Sequence, residues 1–267
     1  MPETPDYICP LCQHALIKSD RTLKCENNHS FDYAKEGYVY LLPVQLKKSI
    51  APGDDKNMVL ARREFLQNGY YEFLRSELME KIAAQTNQHV VDLGCGEGYY
   101  TNEIPNINGT EKVYGIDISK PAVKYAAKRN PEVHYSVATN AHLPFADNSI
   151  DLIANVFAPL VGKECRRILK DGGSILSVSP GPHHLYELKT FVYENVELHE
   201  AATPPEGFRI TQSWQVEDKV QIGSEKDILN LLAMTPFGWK ISEQNKEKLT
   251  GQLPFELTLS FTINQFV

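Results

Sequence analysis

At 267 residues, with 42% hydrophobic side chains, the chain can bury one large core and a small appendage. A net charge of −7 argues against broad nucleic-acid affinity. No apolar run is long enough to span a bilayer, and the N-terminus lacks a basic segment followed by an apolar one, so the expectation is a cytoplasmic protein without membrane association. Five cysteines, an odd count with three crowded near the N-terminus, point to metal ligation more than to a disulfide framework.

The first element is a metal-binding pattern. Cys9, Cys12, Cys25 and His29 have the spacing C-x2-C-x12-C-x3-H. Zinc takes four thiolate or imidazole donors in a tetrahedron, and a closed set of four makes the ion structural. A hairpin turning at Ser19-Asp20-Arg21 brings the second pair back to the first. Apolar residues are too few here for a core, so the metal supplies folding free energy. His14 is a competing donor but lies inside the hairpin.

Next, residues 30–43 alternate aromatic with basic and polar side chains. Exposed aromatics stack on unpaired bases and lysines meet phosphates, so this stretch is a candidate RNA surface. The competing reading makes Phe31, Tyr33, Val39 and Leu41 the core of the small module, leaving Lys35, Tyr38 and Tyr40 exposed. Residues 1–50 are balanced in charge, so the acidic excess belongs to the remainder and any basic RNA footprint to this end. Lys35, Lys47, Lys48, Arg62 and Arg63 are the expected RNA contacts. Residues 47–57, with Pro52 and Gly53 and no apolar period, read as a linker. Asp55 caps a helix carrying Met58, Leu60, Ala61, Phe65 and Leu66. Gly69 stops it, and a second helix presents Phe73, Leu74, Leu78, Ile82 and Ala83.

The run Val90-Val91-Asp92-Leu93-Gly94-Cys95-Gly96-Glu97-Gly98-Tyr99-Tyr100 then carries a strand into a glycine-rich turn and a helix. Glycine permits a tight turn and close approach of a ligand to the backbone. A second strand ends in Asp117, at the spacing of a ribose-binding carboxylate. Asp92 and Glu97 beside the loop would repel a pyrophosphate and suit a ligand with a cationic part. S-adenosylmethionine, with its ammonium and sulfonium, is such a ligand. Further strands are expected at 133–138, 150–156 and 174–179, with helices at 121–129 and 162–170, then strands at 208–220 and 255–266 around a helix at 226–233. This is an α/β fold with a doubly wound, mostly parallel sheet, an antiparallel edge hairpin and a small N-terminal zinc-ribbon-like domain. Ligands of such sheets bind at the carboxyl ends of the strands.

The loop D-L-G-C-G-E-G-Y-Y resembles the first motif of class I S-adenosylmethionine-dependent methyltransferases, and Asp117 their ribose-hydroxyl acid. The zinc pattern, F-D-x-A-K-E-G-Y-V-x-L-L-P-V-Q, P-G-D, A-R-R-x-F-L, P-G-P-x-H-L-x-E-L-K and M-T-P-F-x-W occur in that order. Together they resemble the bacterial 23S ribosomal RNA (guanine-N1)-methyltransferases over nearly the whole chain. The resemblance implies methyl transfer to a guanosine in a 23S rRNA hairpin, one structural zinc, and a homodimer. Two subgroups modify guanosine 745 or guanosine 748. Residues 35–45 and 94–101 look more like the first subgroup, Asn155-Val156-Phe157-Ala158-Pro159 like the second, and the reading favours guanosine 745.

The resemblance assigns the cofactor to Tyr71, Asp92, Gly94, Gly96, Glu97, Gly98, Asp117, Asn140 and His184. Tyr71 falls where the family has a tyrosine near the methionine end of the cofactor, with helix packing as the alternative role. Asn140 lies in the loop resembling an adenine-binding segment. Guanine N1 carries a proton that must leave, so a base or acceptor is expected. His183, His184, Glu97 and Asn155 are the candidates, with His184 and Asn155 foremost. A polar-Pro-Pro-aromatic motif is absent after the fourth strand, which disfavours an exocyclic amino target. Cys95 and Cys165 do not read as nucleophiles. The organisation expected is a zinc-binding RNA-recognition module at 1–46, a linker at 47–57 and a methyltransferase domain at 58–267. Two other readings stay open: a small-molecule, quinone-type methyltransferase with a zinc accessory, and a zinc-dependent binding module on an inactive domain.

Overall fold

The computed structural model describes residues 6–47, 49–50, 52–85 and 88–267. A three-stranded antiparallel sheet comes first, β1 (Ile17–Ser19), β2 (Thr22–Lys24) and β3 (Ser30–Asp32), in that order across the sheet. Its turn lies at Asp20, in the left-handed region (φ 54°), beside Arg21 as the sequence implied. The next strand, β4 (Val39–Tyr40), leaves this sheet and pairs in parallel at the edge of the large one. A short 3-10 turn, Val44–Leu46, leads toward α1 (Lys56–Gln67) and α2 (Glu72–Ala83). Asp55 caps α1 by accepting the Asn57 and Met58 amides at 2.7 and 3.0 Å.

The alternation then continues through β5 (His89–Leu93), β6 (Lys112–Asp117), α3 (Lys120–Arg129), β7 (His134–Val137), β8 (Ile150–Val156), α4 (Gly162–Ile168), β9 (Leu169–Pro180) and α5 (Tyr186–Lys189). After it come β10 (Ile210–Ile222), α6 (Glu225–Ala233), α7 (Glu243–Thr250) and β11 (Phe255–Phe266). The large sheet has the order β10-β11-β9-β8-β5-β6-β7-β4. From β4 to β9 all neighbours are parallel, and β11 runs antiparallel to β9 and β10. The order reverses beside β5, which places a ligand crevice at the carboxyl ends of β5, β6 and β8.

Several elements differ from the sequence reading. The glycine loop is followed by a 3-10 segment, Thr101–Asn106, with Pro105 inside it, because proline has no amide to donate to a helix. The face of α1 that packs is Val59, Ala61, Phe65 and Leu66, whereas Met58 and Leu60 are only partly buried. Ala83 in α2 is exposed. Helix α4 ends at Ile168, and β9 begins at once at Leu169. Tyr38 is buried in the main core, so it is no exposed platform.

The zinc-binding end is welded to the large sheet. Tyr7 is 2% exposed and packs against Tyr114 and Phe145, each with ring centroids 5.5 Å away. Its hydroxyl donates to the His134 carbonyl at 2.8 Å. The Ile8 amide donates to Pro144 at 3.0 Å, and Asp6 accepts from Lys112 and Tyr114. Burial of a whole aromatic ring at this joint stabilises more than the exposed ion pair does. Tyr7→Ala is therefore expected to cost about 3 kcal/mol or more of stability, read as a lower urea midpoint. A midpoint equal to wild type would mean that the joint does not hold the two parts together.

Candidate functional site

Two sites emerge. The first is the cluster of Cys9, Cys12, Cys25 and His29, whose ligand atoms lie within 4.8 Å of one another. Two tight turns present them. The Cys9 amide donates to His14 at 2.8 Å, and Cys25 and His29 pair through the Cys25 amide at 3.1 Å. Gln13 and Asn28 occupy the left-handed region at the two corners (φ 63° each). Sγ of Cys12 and Cys25 are 3.6 Å apart, and Nδ1 of His29 is 3.5 Å from Sγ of both Cys9 and Cys25. A zinc–sulfur bond of about 2.3 Å in a tetrahedron gives edges near 3.7 Å, so the donor set fits the ion. His14 lies outside the set of four, paired with Glu26 at 3.0 Å, bonded to Asn27 and hydrogen-bonded to Cys12.

The second site is a cleft of about 1110 Å³ at the carboxyl ends of the parallel strands. That exceeds what one drug-sized ligand requires. Asp92 near the end of β5 and Gly94, Gly96 and Glu97 from the loop that follows line it, with Asp117 from β6, residues 139–142 after β7 and residues 156–159 from the last residue of β8 onward. Tyr71 and His184 complete the wall. Gly94 holds φ +80°, and a Cβ there would collide with Ala158, so the β5 and β8 loops touch only because it is glycine. Gly98 does not reach the cleft; a Cβ on it would meet the Tyr135 hydroxyl at 2.9 Å.

The acids differ in their state. The Asp117 carboxylate accepts the Gly96 and Ser119 amides at 2.9 and 2.7 Å, yet burial raises its pKa. Asp92 is buried; one oxygen accepts from Thr101 at 2.6 Å and the other has no partner within the described residues. Burial, helped by the Asp117 charge, pushes it up to about 7. Glu97 is buried and paired with Arg129, so its charge is already matched, and burial still raises its pKa. Like Asp92, Glu97 keeps one buried oxygen without a partner among the described residues.

Of the proton-acceptor candidates, the structure places Asn155 away from the cleft wall. It is buried, donates to Leu93 at 2.9 Å and accepts from Ser177 at 3.1 Å, so its amide ties β8 to its neighbours and does not line the cleft. His183 is exposed and also outside the wall. His184 is buried in the wall with Nδ1 unpartnered among the described residues, and burial, then the nearby His199 and Lys189, push it down to about 3. It is a neutral imidazole, suited to hydrogen bonding and poor at holding a proton. Tyr71 packs edge-on to Phe65, Phe261 and His184, so it lines the cleft and packs the helices at once. Asn140 donates to Pro159 at 2.9 Å.

The expected RNA contacts separate. Lys35 is exposed on the turn before β4. Lys47 sits over the Tyr40 ring at 5.1 Å, next to Leu46 on the cleft wall. Lys48 lies outside the described residues. Arg63 lies over Tyr125 at 5.2 Å. Arg62 instead lines the cleft, paired with Asp54. The Asp54 carbonyl also accepts the Ser119 hydroxyl at 2.7 Å, which ties this point of the 47–57 segment to the turn between β6 and α3. The wall also includes Met58, which the sequence placed only on the apolar face of a helix, and Tyr193, His199, Trp239 and Lys240, to which sequence reasoning gave no role. Only the M-T-P-F-x-W run had marked the segment that brings Trp239 in.

Two outcomes follow from this geometry. Metal analysis is expected to return one zinc per chain, and Cys25→Ser to lose it together with the fold of residues 7–33; a variant that keeps stoichiometric zinc would remove Cys25 from the ligand set. Asp92 gives a pH effect. The folded chain retains its proton between about pH 4 and 7, where the unfolded chain, at the ordinary value of 3.8, has released it. Unfolding free energy of the unliganded protein therefore falls as pH rises through that window and levels above it, by a few kcal/mol, on the order set by linkage. Asp92→Asn is expected to flatten that slope in urea titrations, and an unchanged slope would place the shift elsewhere.

Comparison with known proteins covers both parts of the chain. Residues 7–50 match the zinc-ribbon family described as "RlmA, N-terminal", and residues 91–177 match a methyltransferase domain family. The 23S rRNA (guanine(748)-N(1))-methyltransferase of Streptomyces fradiae is 34% identical, covering 95% of this chain and 94% of its own. A Micromonospora griseorubida protein, provisionally named for 23S rRNA guanine-N1 methylation, is 35% identical over 69% of this chain and 68% of its own. Demethylmenaquinone methyltransferase of Lactiplantibacillus plantarum is 30% identical but covers 51% of this chain and 62% of its own. The cysteine–histidine cluster is a structural zinc site, the chain is an S-adenosylmethionine-dependent methyltransferase, and it belongs to the 23S rRNA (guanine-N1)-methyltransferase family.

Proposed function

We propose that this chain transfers the methyl group of S-adenosylmethionine to N1 of one guanosine, guanosine 745, in a hairpin of 23S rRNA. The observation that carries the reaction is the extent of the likeness. Guanine-N1 relatives match ribbon and catalytic domain together, whereas the quinone-type relative matches about half of the chain. A small substrate has no need of a separate recognition module, which disfavours the quinone reading. The position rests on residues 35–45 and 94–101. A second reading, guanosine 748, is favoured by the name of the Streptomyces fradiae relative and by the Asn155-Val156-Phe157-Ala158-Pro159 loop.

In this reading Asp117 accepts the ribose hydroxyls, Asp92 faces the ammonium of the methionine part, and the backbone at Gly94 and Gly96 lies along the ligand. Asn140 lies by the adenine, and Glu97 supports the loop through Arg129. Tyr71 and His184, both on the cleft wall, would hold the methionine end of the cofactor. The cofactor supplies an electrophilic methyl carbon, and the chain holds guanine N1 in line with it. Neutral His184 would accept a hydrogen bond from N1–H and orient the base; with a pKa pushed down to about 3 it does not keep the proton, which passes to solvent as the bond from N1 to the methyl carbon forms and the sulfur–methyl bond breaks. The 1–46 module, the 47–57 segment and the 58–267 domain act as one surface for RNA. Lys35 and Lys47, with Lys48, meet phosphates along it. The target places the enzyme in the cytoplasm, and a homodimer sets two zinc modules around one RNA; light scattering measures that state.

Incubating the protein with labelled S-adenosylmethionine and an rRNA hairpin is expected to yield N1-methylguanosine on nucleoside analysis, with a primer-extension stop at position 745. A stop at 748 selects the second reading, and label on a quinone and not on RNA removes both. Asp117→Ala is expected to weaken cofactor binding by about 1–3 kcal/mol in calorimetry, the cost of a lost charged hydrogen bond; unchanged affinity would misplace the ribose. Replacing Lys35 and Lys47 by alanine is expected to lower the salt slope of RNA binding by about one released counterion per phosphate lost, with cofactor affinity unmoved. An unchanged slope would place the RNA elsewhere.

A further inference from the structure

The cleft holds more room than the cofactor residues account for, and its wall after β8 carries an unexplained aromatic. Phe157 is 46% exposed although it borders a cavity. Its backbone is left-handed (φ 57°), a conformation that a bulky side chain rarely adopts. Two contacts impose it. The Phe157 amide donates to Val178 at 3.1 Å, and the next residue, Ala158, presses on Gly94 of the cofactor loop. A strained residue held by its surroundings is a feature of ligand-contacting sites. The strain delivers a ring to the open space of the cleft beside the loop that holds the cofactor. Behind that ring, Phe261 is fully buried with its centroid 5.7 Å away, and the His184 ring lies 6.2 Å away at 26°. The ring is thus supported on one side and open on another.

We propose that Phe157 is the stacking face for the acceptor base, an unpaired purine extruded from its RNA hairpin. A base in a helix does not expose N1, which sits on the pairing edge, so the target must leave its stack before the methyl group can reach it. An aromatic side chain compensates the lost stacking and is tolerant of which purine arrives. Phe157 meets that need from a wall shared with the cofactor loop, and His184, with its unpartnered Nδ1, stands within the same aromatic group. Trp239, 70% exposed and also on the cleft wall, is a second aromatic available to a neighbouring unpaired base. The inference rests on the proposed RNA reading.

The test compares Phe157→Ala, Phe157→Leu and Phe157→Trp with wild type, using an rRNA hairpin and labelled S-adenosylmethionine. Phe157→Ala is expected to lose at least tenfold in kcat/KM for RNA while its cofactor affinity, measured by calorimetry, stays within twofold. Phe157→Trp is expected to recover most of that loss, and Phe157→Leu, apolar but without a π-face, is not. A hairpin with 2-aminopurine at the target position reports the contact directly: wild type quenches the extruded base and Phe157→Ala leaves it bright. Alanine or leucine within twofold of wild type, or equal quenching by Phe157→Ala, overturns the proposal. A wild-type protein that methylates no RNA guanine removes the functional reading itself, which the variants alone do not do.

Discussion

Three carboxylates, Asp92, Glu97 and Asp117, are withdrawn from bulk water at the mouth of one parallel sheet. Removing a negative charge from water is costly unless a partner replaces the solvent. Glu97 has Arg129 on one oxygen and a second oxygen without a partner among the described residues, and Asp117 has two backbone amides. Asp92 has one hydroxyl and a bare oxygen. The imbalance favours a ligand that brings positive charge. It also explains why a glycine loop on a doubly wound sheet, a geometry shared with phosphate-binding proteins, is unsuited here to a pyrophosphate. The strand order, the collision-free approach at Gly94 and the burial of Thr101 all place these acids.

The zinc module is part of the same construction. Tyr7 and Ile8, immediately before the first metal ligand, are anchored on Phe145 and Pro144, a few residues beyond the cleft-lining segment 139–142. Strand β4 then extends the large sheet beyond β7. Metal site, sheet edge and cleft are thereby connected by a short path of buried contacts.

The sequence made much of this legible because local chemistry leaves local traces. Cysteine spacing, a strand ending in Asp92, and Asp117 at the end of the next strand depend on neighbours within a few residues. Long-range packing leaves no such trace. Nothing in the local pattern around Asn155 discloses that its amide is consumed by Leu93 and Ser177, or that Arg62 turns to Asp54 inside the cleft. Tyr38 sits in an alternating aromatic run that looks exposed, yet it packs into the core with residues such as Val123 and Ala126. The left-handed backbone at Phe157 likewise follows from β9 and Gly94, not from its own neighbours in sequence.

The electrostatic account is tested most directly by counting protons. S-adenosylmethionine binding is measured by calorimetry at pH 7 in two buffers of different ionisation enthalpy. A cation placed beside Asp92 returns that carboxyl, pushed up to about 7 in the free protein, toward its ordinary range. Wild type is predicted to release about half a proton on binding, and Asp92→Asn to release markedly less. Binding without proton release in wild type, or equal release by the variant, would contradict the claim that an uncompensated Asp92 selects the cationic cofactor.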